Sequence, residues 1–249
     1  MCTVSWLRQS DGYVLLCNRD EHRSRLPASG PRIQRIRGAW AIAPLDGNHG
    51  GSWVGVNQFG LTLCLLNRYG ESTAATRGFV SRGILIKDLL DSRSVEHVSE
   101  RMRQIELDWF QPFTLLALSV TEPERLFEWT GNELQVNDKP QSLMPLTSSS
   151  IETPAIISER RKLFAEMVSS SGKIDTDLLE RFHRSHEPER GPGSICMHRD
   201  DAATVSLSIV TVDRERAKFS YQPGSPCEMN RVDEVFIQRS DVIEQVAGL

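Results

Sequence analysis

Apolar residues in this chain come mainly in short, dense runs separated by turn-forming residues, with stretches of helical spacing between them. Val4, Trp6 and Tyr13-Val14-Leu15-Leu16-Cys17 have the β-branched and aromatic character of strands, and Asp11-Gly12 between them is a two-residue hairpin signal. That turn pairs Ser10 with Tyr13, so Cys2 falls opposite Asp20, Glu21 or His22 once a slip of one residue is allowed. Residues 22–31 hold Pro27, Gly30 and Pro31 and read as an extended loop over the hairpin's open end. Residues 32–37 and 40–43 predict two short strands, and Asp46-Gly47-Asn48-His49-Gly50-Gly51-Ser52 a turn-rich connection. Residues 53–57 and 60–67 predict a second hairpin. Leu61, Leu63, Leu65 and Leu66 leave little polar alternation on its return strand, which should be central and covered on both faces.

Helical spacing takes over at residues 81–91 and 94–107, where Ser94, followed by Glu96 and His97, makes a good N-terminus. Residues 113–118, 126–129 and 133–136 then read as a meander of antiparallel strands, followed by a loop over 137–144. Two further helices are predicted at 158–170, with Leu163, Phe164, Met167 and Val168 on one side, and at 175–185. Residues 204–212 and 217–221 form a last hairpin around Asp213-Arg214-Glu215-Arg216. Strands, two helices, strands, two helices and strands in that order suit an α+β fold of two antiparallel sheets stacked between helical layers.

Composition narrows the function classes. The 249 residues carry 29 Lys and Arg against 33 Asp and Glu, a formal charge of -4, with the signs mixed along the chain. No basic excess points to nucleic acid as a partner. No segment approaches the roughly 20 apolar residues that span a bilayer, and the start lacks the apolar core of a signal peptide, so a cytoplasmic address is expected. The five cysteines, Cys2, Cys17, Cys64, Cys196 and Cys227, are odd in number and contain no CxxC pair, and reduced thiols are expected.

The candidate chemistry begins at the second position. A residue as small as cysteine favours aminopeptidase removal of Met1, which would leave Cys2 with a free α-amine and make nucleophile and base one residue. An α-amine titrates at roughly 7.7 to 8.0 and can take a thiol proton directly or through one water. The hairpin returns Asn18-Arg19-Asp20-Glu21 to this end of the chain, where Arg19 should lower the thiol pKa and a carboxylate should orient the amine. At the end of the buried strand, Asn67 either delivers a hydrogen-bond donor to a site or caps a turn before Arg68-Tyr69-Gly70. The Gly-rich segment 46–52 either turns between strands or cradles an anion. His183 and His186 are three apart on a predicted helix with Glu187 and Glu189 beyond, but spacing fixes no third ligand and no metal site is expected. Cys196-Met197-His198-Arg199-Asp200-Asp201 is either a pocket wall or a surface loop. The tryptophans should be mostly core residues, Trp53 beside its glycines being the one that faces a ligand.

Met1-Cys2-Thr3 followed by Asn18-Arg19-Asp20-Glu21, then Gly50-Gly51-Ser52-Trp53-Val54-Gly55-Val56-Asn57, Gly60-Leu61, Leu66-Asn67-Arg68 and Thr153-Pro154, resembles the NRDE family, also called the Transport and Golgi Organisation protein 2 family. That family is similar to the N-terminal nucleophile hydrolases, in particular the cholylglycine hydrolase and penicillin acylase branch that uses cysteine. The resemblance spans most of the chain and implies one domain over residues 1–249, folded as a four-layer αββα sandwich. It implies that Cys2 attacks a linear amide or thioester of a small acylated molecule and that its amine shuttles the proton. Arg19 would stabilise the thiolate, Asp20 would orient the amine, and Asn67, matching an asparagine after a similar strand in the cysteine amidases, would hold the oxyanion. Asn18, Glu21, Trp53 and His198 are the expected substrate-binding residues. Cysteine amidases commonly place aspartate three residues after the arginine, whereas Arg19 and Asp20 are adjacent, which leaves open whether Asp20 or Glu21 holds the amine. Where relatives carry asparagine before the Thr-Pro segment, Thr147-Ser148-Ser149-Ser150 offers only hydroxyls, and where they carry an arginine near Thr204 this chain reads Val205-Ser206-Leu207. A hydrolase of this kind needs no cofactor. Family members have also been connected with haem delivery, lipid handling and secretory-pathway organisation, so a non-catalytic carrier of haem or lipid is the competing expectation. Assembly into homo-oligomers stays open.

Overall fold

The computed structural model describes residues 2–69, 80–228 and 231–240. Strands β1 (Cys2–Gln9) and β2 (Gly12–His22) form the first hairpin, with Ser10 and Asp11 in its turn and Gln9 paired with Gly12. The expected Asp11-Gly12 turn is thus displaced. Gly12 lies in the strand because a Cβ there would sit 1.8 Å from the Val212 carbonyl oxygen, so close backbone approach and not turn geometry requires glycine. Cys2 consequently faces Arg19, not Asp20, Glu21 or His22. Relative to the pairing of Cys2 with Glu21 this is a shift of two residues, which leaves every side chain on its expected face.

Seven antiparallel strands make one sheet in chain order: β3 (Ser29–Ile36), β4 (Ala39–Leu45), β5 (Val54–Asn57), β6 (Leu61–Asn67), β7 (Phe113–Ser119), β8 (Arg125–Trp129) and β9 (Leu134–Asn137). β3 begins inside the segment expected to be a loop, since Ser29 pairs with Leu45 across an irregularity that absorbs Gly30 and Pro31. The second sheet has the order β10 (Leu146–Ser148), β1, β2, β11 (Ala202–Val212), β12 (Arg216–Pro223) and β13 (Asp233–Gln238). Neither β10 nor β13 was legible in the sequence: one is three residues long and follows a proline, the other is a largely exposed edge strand.

The helices α1 (Gly83–Leu89), α2 (Val95–Met102), α3 (Thr153–Ser171) and α4 (Thr176–Arg184) occur where expected, the first two shorter and the third longer. Ser94 and Asp175 cap α2 and α4 by accepting the N–H groups of His97 and Leu178 at 3.0 and 2.8 Å. α3 starts early because Pro154 fits the first turn of a helix, where its missing N–H costs nothing.

Three apolar clusters fill the spaces between four layers. Leu85, Leu89, Val98 and Met102 pack α1 and α2 on Leu61, Leu63 and Leu65 of β6 and on Phe113 and Leu115 of β7. Phe164, Leu178 and Phe182 of α3 and α4 pack on Val14 and Leu16 of β2. Between the sheets, Trp6, Tyr13, Leu15 and Cys17 meet Val54, Cys64, Leu66 and Leu116. Alternate side chains of β2 and β6 therefore enter different layers, which is why both strands read as continuous apolar runs. The Tyr13 hydroxyl bridges the sheets by donating to Thr62 Oγ1 at 2.7 Å. Trp40 departs from the expected core position and is 47% exposed, with Arg35 over its ring. Among the described residues no helix is long and apolar enough to cross a membrane.

Candidate active site

Cys2 opens β1 between two neighbours, Arg19 at the end of β2 and Ser148 at the end of β10. It borders a cavity of about 350 Å³ that Arg19, Asp20, Glu21, Trp53, Asn67 and Arg82 also line. The Ser148 hydroxyl oxygen accepts the Cys2 backbone N–H at 3.1 Å, so a hydroxyl takes the place where relatives were expected to offer an amide. Met1 and Gly70 lie outside the described residues.

Antiparallel pairing puts Cys2, Cys17, Arg19 and Glu21 on the face that looks toward the seven-stranded sheet. A hydrogen bond with the Cys17 thiol, reinforced by burial, pushes the Cys2 thiol well above its ordinary range, which corrects the expectation that Arg19 would lower it. Arg19 is itself ion-paired. Its Nη2 donates to Asp46 at 2.6 Å and to Glu21 at 3.0 Å, and its guanidinium lies over the Trp53 ring, 4.5 Å from the centroid. Arg25 grips the same Asp46, and the N–H groups of Asn48 and His49 donate to it. Burial alone would raise the Asp46 carboxyl; the His49 N–H, Arg25 and Arg19 together outweigh it and hold the group below the usual carboxylate range. The glycine-rich segment is thus a turn built on Asp46, a residue that sequence reasoning passed over although its position at the head of an Asx-type turn was visible. Arg82 was missed as well; burial lowers its pKa.

The other face of β2 looks toward α3 and α4. Asp20 is buried there, its Oδ1 accepting the Thr204 hydroxyl at 2.6 Å and its Oδ2 3.7 Å from Arg160 Nη1. Arg160 also donates to Thr3 Oγ1 at 2.7 Å, and its burial lowers its pKa against the opposing pull of Asp20. The cation sought near Thr204 in the sequence is therefore supplied from α3, a contact that no local pattern announces. Of the two carboxylates left open by the sequence, Glu21 is engaged by Arg19 and Arg25 on the cavity side, while Asp20 lies deeper, behind the strand.

Asn18 does not reach the cavity, contrary to its expected part in substrate binding. Its Nδ2 donates to the carbonyls of His183 and Ile195, and its Oδ1 faces His183 Nδ1 at 3.1 Å. Since that amide oxygen can only accept, the ring carries its proton on Nδ1, and Nε2 accepts the Ser5 hydroxyl at 2.9 Å. Burial, with Arg160 and Arg184 nearby, drives the His183 pKa down to about 3, so the ring is a neutral core group. His198 is also absent from the cavity lining; it stands beside His186, Cys196 and Cys227 in the segment before β11. Trp53, Glu21 and Asn67 do line the cavity, Asn67 Nδ2 donating to the Tyr69 hydroxyl at 3.0 Å. A second cavity of about 270 Å³ shares Asn67 and is walled by Ser148, Leu66, Leu143, Leu146 and Ile157.

The family model for Transport and Golgi organisation 2 matches residues 1–221. Solved structures with the same fold include the conjugated bile acid hydrolase of Clostridium perfringens, in a variant with alanine for cysteine at its second position. That protein is 13% identical, the match covering 94% of this chain and 92% of that one with a TM-score of 0.56. The penicillin V acylase of Agrobacterium tumefaciens is 10% identical over 96% of this chain and 86% of that one, with a TM-score of 0.53. The N-acylethanolamine-hydrolyzing acid amidase ortholog of Caenorhabditis elegans is 10% identical over 84% and 92%, with a TM-score of 0.57. The chain is similar to these proteins in its α+β sandwich, the fold of N-terminal nucleophile hydrolases. No curated protein matches the sequence.

Proposed function

This chain belongs to the Transport and Golgi organisation 2 family, and from that premise we propose that it is a cysteine N-terminal nucleophile hydrolase acting on a linear amide, or a thioester, of a small acylated molecule. The observation that carries the reading is the position of Cys2, at the first residue of β1, with its backbone nitrogen on Ser148 and its side chain on the face that borders the cavity lined by Arg19, Glu21 and Asn67. Once Met1 is removed, that nitrogen is the α-amine. Because Arg19 is ion-paired and the thiol lies above its ordinary range, the proton leaves the thiol to the amine as the sulfur attacks. Ser148 and Asp20 orient the amine, with Thr204 and Arg160 fixing Asp20 from behind. Asn67 donates to the oxyanion of the tetrahedral intermediate, the amine returns its proton to the leaving group, and water releases the acyl group from Cys2.

Two cavities that share Asn67 suit a substrate with two arms. The apolar wall of Leu66, Leu143, Leu146 and Ile157 fits an acyl chain, and the space among Arg19, Glu21, Asp46 and Arg82 fits a polar leaving group. Such a charged chamber is a poorer match for haem or lipid. Intact mass of the purified protein should show Met1 removed, and a panel of acyl amides and acyl thioesters should leave an acyl adduct on Cys2 detectable by peptide mass spectrometry. Turnover that survives Cys2→Ala, or a protein that keeps Met1 and hydrolyses nothing in the panel, overturns the reading.

A further inference from the structure

On the far side of the second sheet, four side chains with metal-binding atoms converge from three places in the chain. His186 follows α4, Cys196 and His198 precede β11, and Cys227 follows β12, and their donor atoms all lie within 4.8 Å of one another. His198 Nε2 is 3.2 Å from His186 Nε2, 3.4 Å from Cys227 Sγ and 3.6 Å from Cys196 Sγ. A ring nitrogen has one proton or one lone pair, so hydrogen bonding satisfies only one of these three approaches. A single cation at the centre satisfies all four groups. Tetrahedral zinc, with bonds of about 2.0 to 2.1 Å to nitrogen and about 2.3 Å to sulfur, holds its ligands about 3.4 Å apart for a nitrogen pair and about 3.6 Å apart for nitrogen and sulfur. The three separations agree with those values to about 0.2 Å.

We propose that His186, Cys196, His198 and Cys227 bind one zinc ion in a closed, structural site. Two imidazoles and two thiolates select zinc over magnesium or calcium, which prefer oxygen, and four protein ligands complete the tetrahedron without a place for water or substrate. With Nε2 of His198 on the metal, its Nδ1 carries the proton. Arg190, now 3.2 Å from that nitrogen, is an exposed side chain that also pairs with Glu228, and it has to turn aside for the loaded site to form.

The ion would join the end of α4, the approach to β11 and the segment after β12. Cys196 sits between Ile195, whose carbonyl accepts Asn18, and Met197, whose N–H donates to Thr204. Thr204 in turn holds Asp20. Zinc thus fastens from outside the segment that fixes Asp20 from behind. The zinc content itself is independent of any catalytic reading.

The test is elemental analysis of the full chain after exhaustive dialysis, followed by cobalt substitution. One zinc per chain is expected, and cobalt should give thiolate charge-transfer absorption with the visible bands of a tetrahedral ion. Cys227→Ser and His186→Gln, both outside the core, should each lose the ion, whereas Cys2→Ala should keep it, separating this site from the Cys2, Cys17 and Cys64 thiols between the sheets. Less than a tenth of an equivalent after zinc loading, retention by both variants, loss in Cys2→Ala, or a Cys196–Cys227 disulfide in place of the ion would each overturn the proposal.

Discussion

Thr204→Val keeps the volume of a fully buried side chain and deletes one hydroxyl, so it isolates the bonds behind Asp20. That hydroxyl donates to Asp20 Oδ1 at 2.6 Å and accepts the Met197 N–H at 2.7 Å. A hydrogen bond to a charged group contributes about 1.5 to 3 kcal/mol, and a buried N–H left without its acceptor costs about 1 to 3 kcal/mol. Taken toward the lower end of both ranges, the sum is about 3 kcal/mol. In a chain of this size each kcal/mol moves the melting temperature by about 2 to 4 °C, so the valine variant should melt about 6 to 12 °C lower. Thr204→Ser keeps both bonds and loses one methyl group, about 1 kcal/mol, for a fall of about 3 °C. Thermal melts of the three proteins, recorded at one zinc concentration and near neutral pH, provide the comparison. A valine variant that melts no lower than the serine variant would refute the argument, because volume and not hydrogen bonding would then separate both from the parent chain.

Four further outcomes follow from the same geometry. Cys2→Ala should abolish hydrolysis while moving the melting temperature by no more than about 4 °C, since one small side chain at the cavity edge is lost; activity assays and a melt on one preparation check both halves. Asn67→Ala should lower kcat about 100-fold with KM nearly unchanged, as expected of a donor that acts on the oxyanion, and a loss confined to KM would remove it from that role. In protein that retains Met1, alkylation of Cys2 should be slow at neutral pH and rise only well into the alkaline range, because the raised pKa keeps the thiol protonated until then; rapid labelling at pH 6 contradicts this. His183 has a folded pKa of about 3 against an ordinary value near 6.5, so the unfolded chain binds the extra proton between those limits. Its contribution is complete above about pH 6.5 and is lost toward pH 3 at up to about 1.4 kcal/mol per pH unit, so denaturant unfolding of His183→Gln should show a shallower acid dependence than the parent chain.

Local pattern was enough to reveal the hairpins, the helix pairs and the two-faced burial of the strand ending at Asn67, because each is written in neighbouring residues by a period of two or 3.6. The place of the candidate nucleophile was legible for the same reason: one turn carries Arg19 back to Cys2. Which residue faces Cys2 was not, since the register depends on how closely Val212 approaches Gly12, two positions far apart in the chain. Ser148 on the Cys2 nitrogen, Arg160 beside Asp20 and the meeting of His186 with Cys196, His198 and Cys227 are likewise products of packing between distant segments. Such contacts leave no periodic trace, for they are set by the layers that bury the apolar faces, and polar side chains take whatever partners that burial brings within reach.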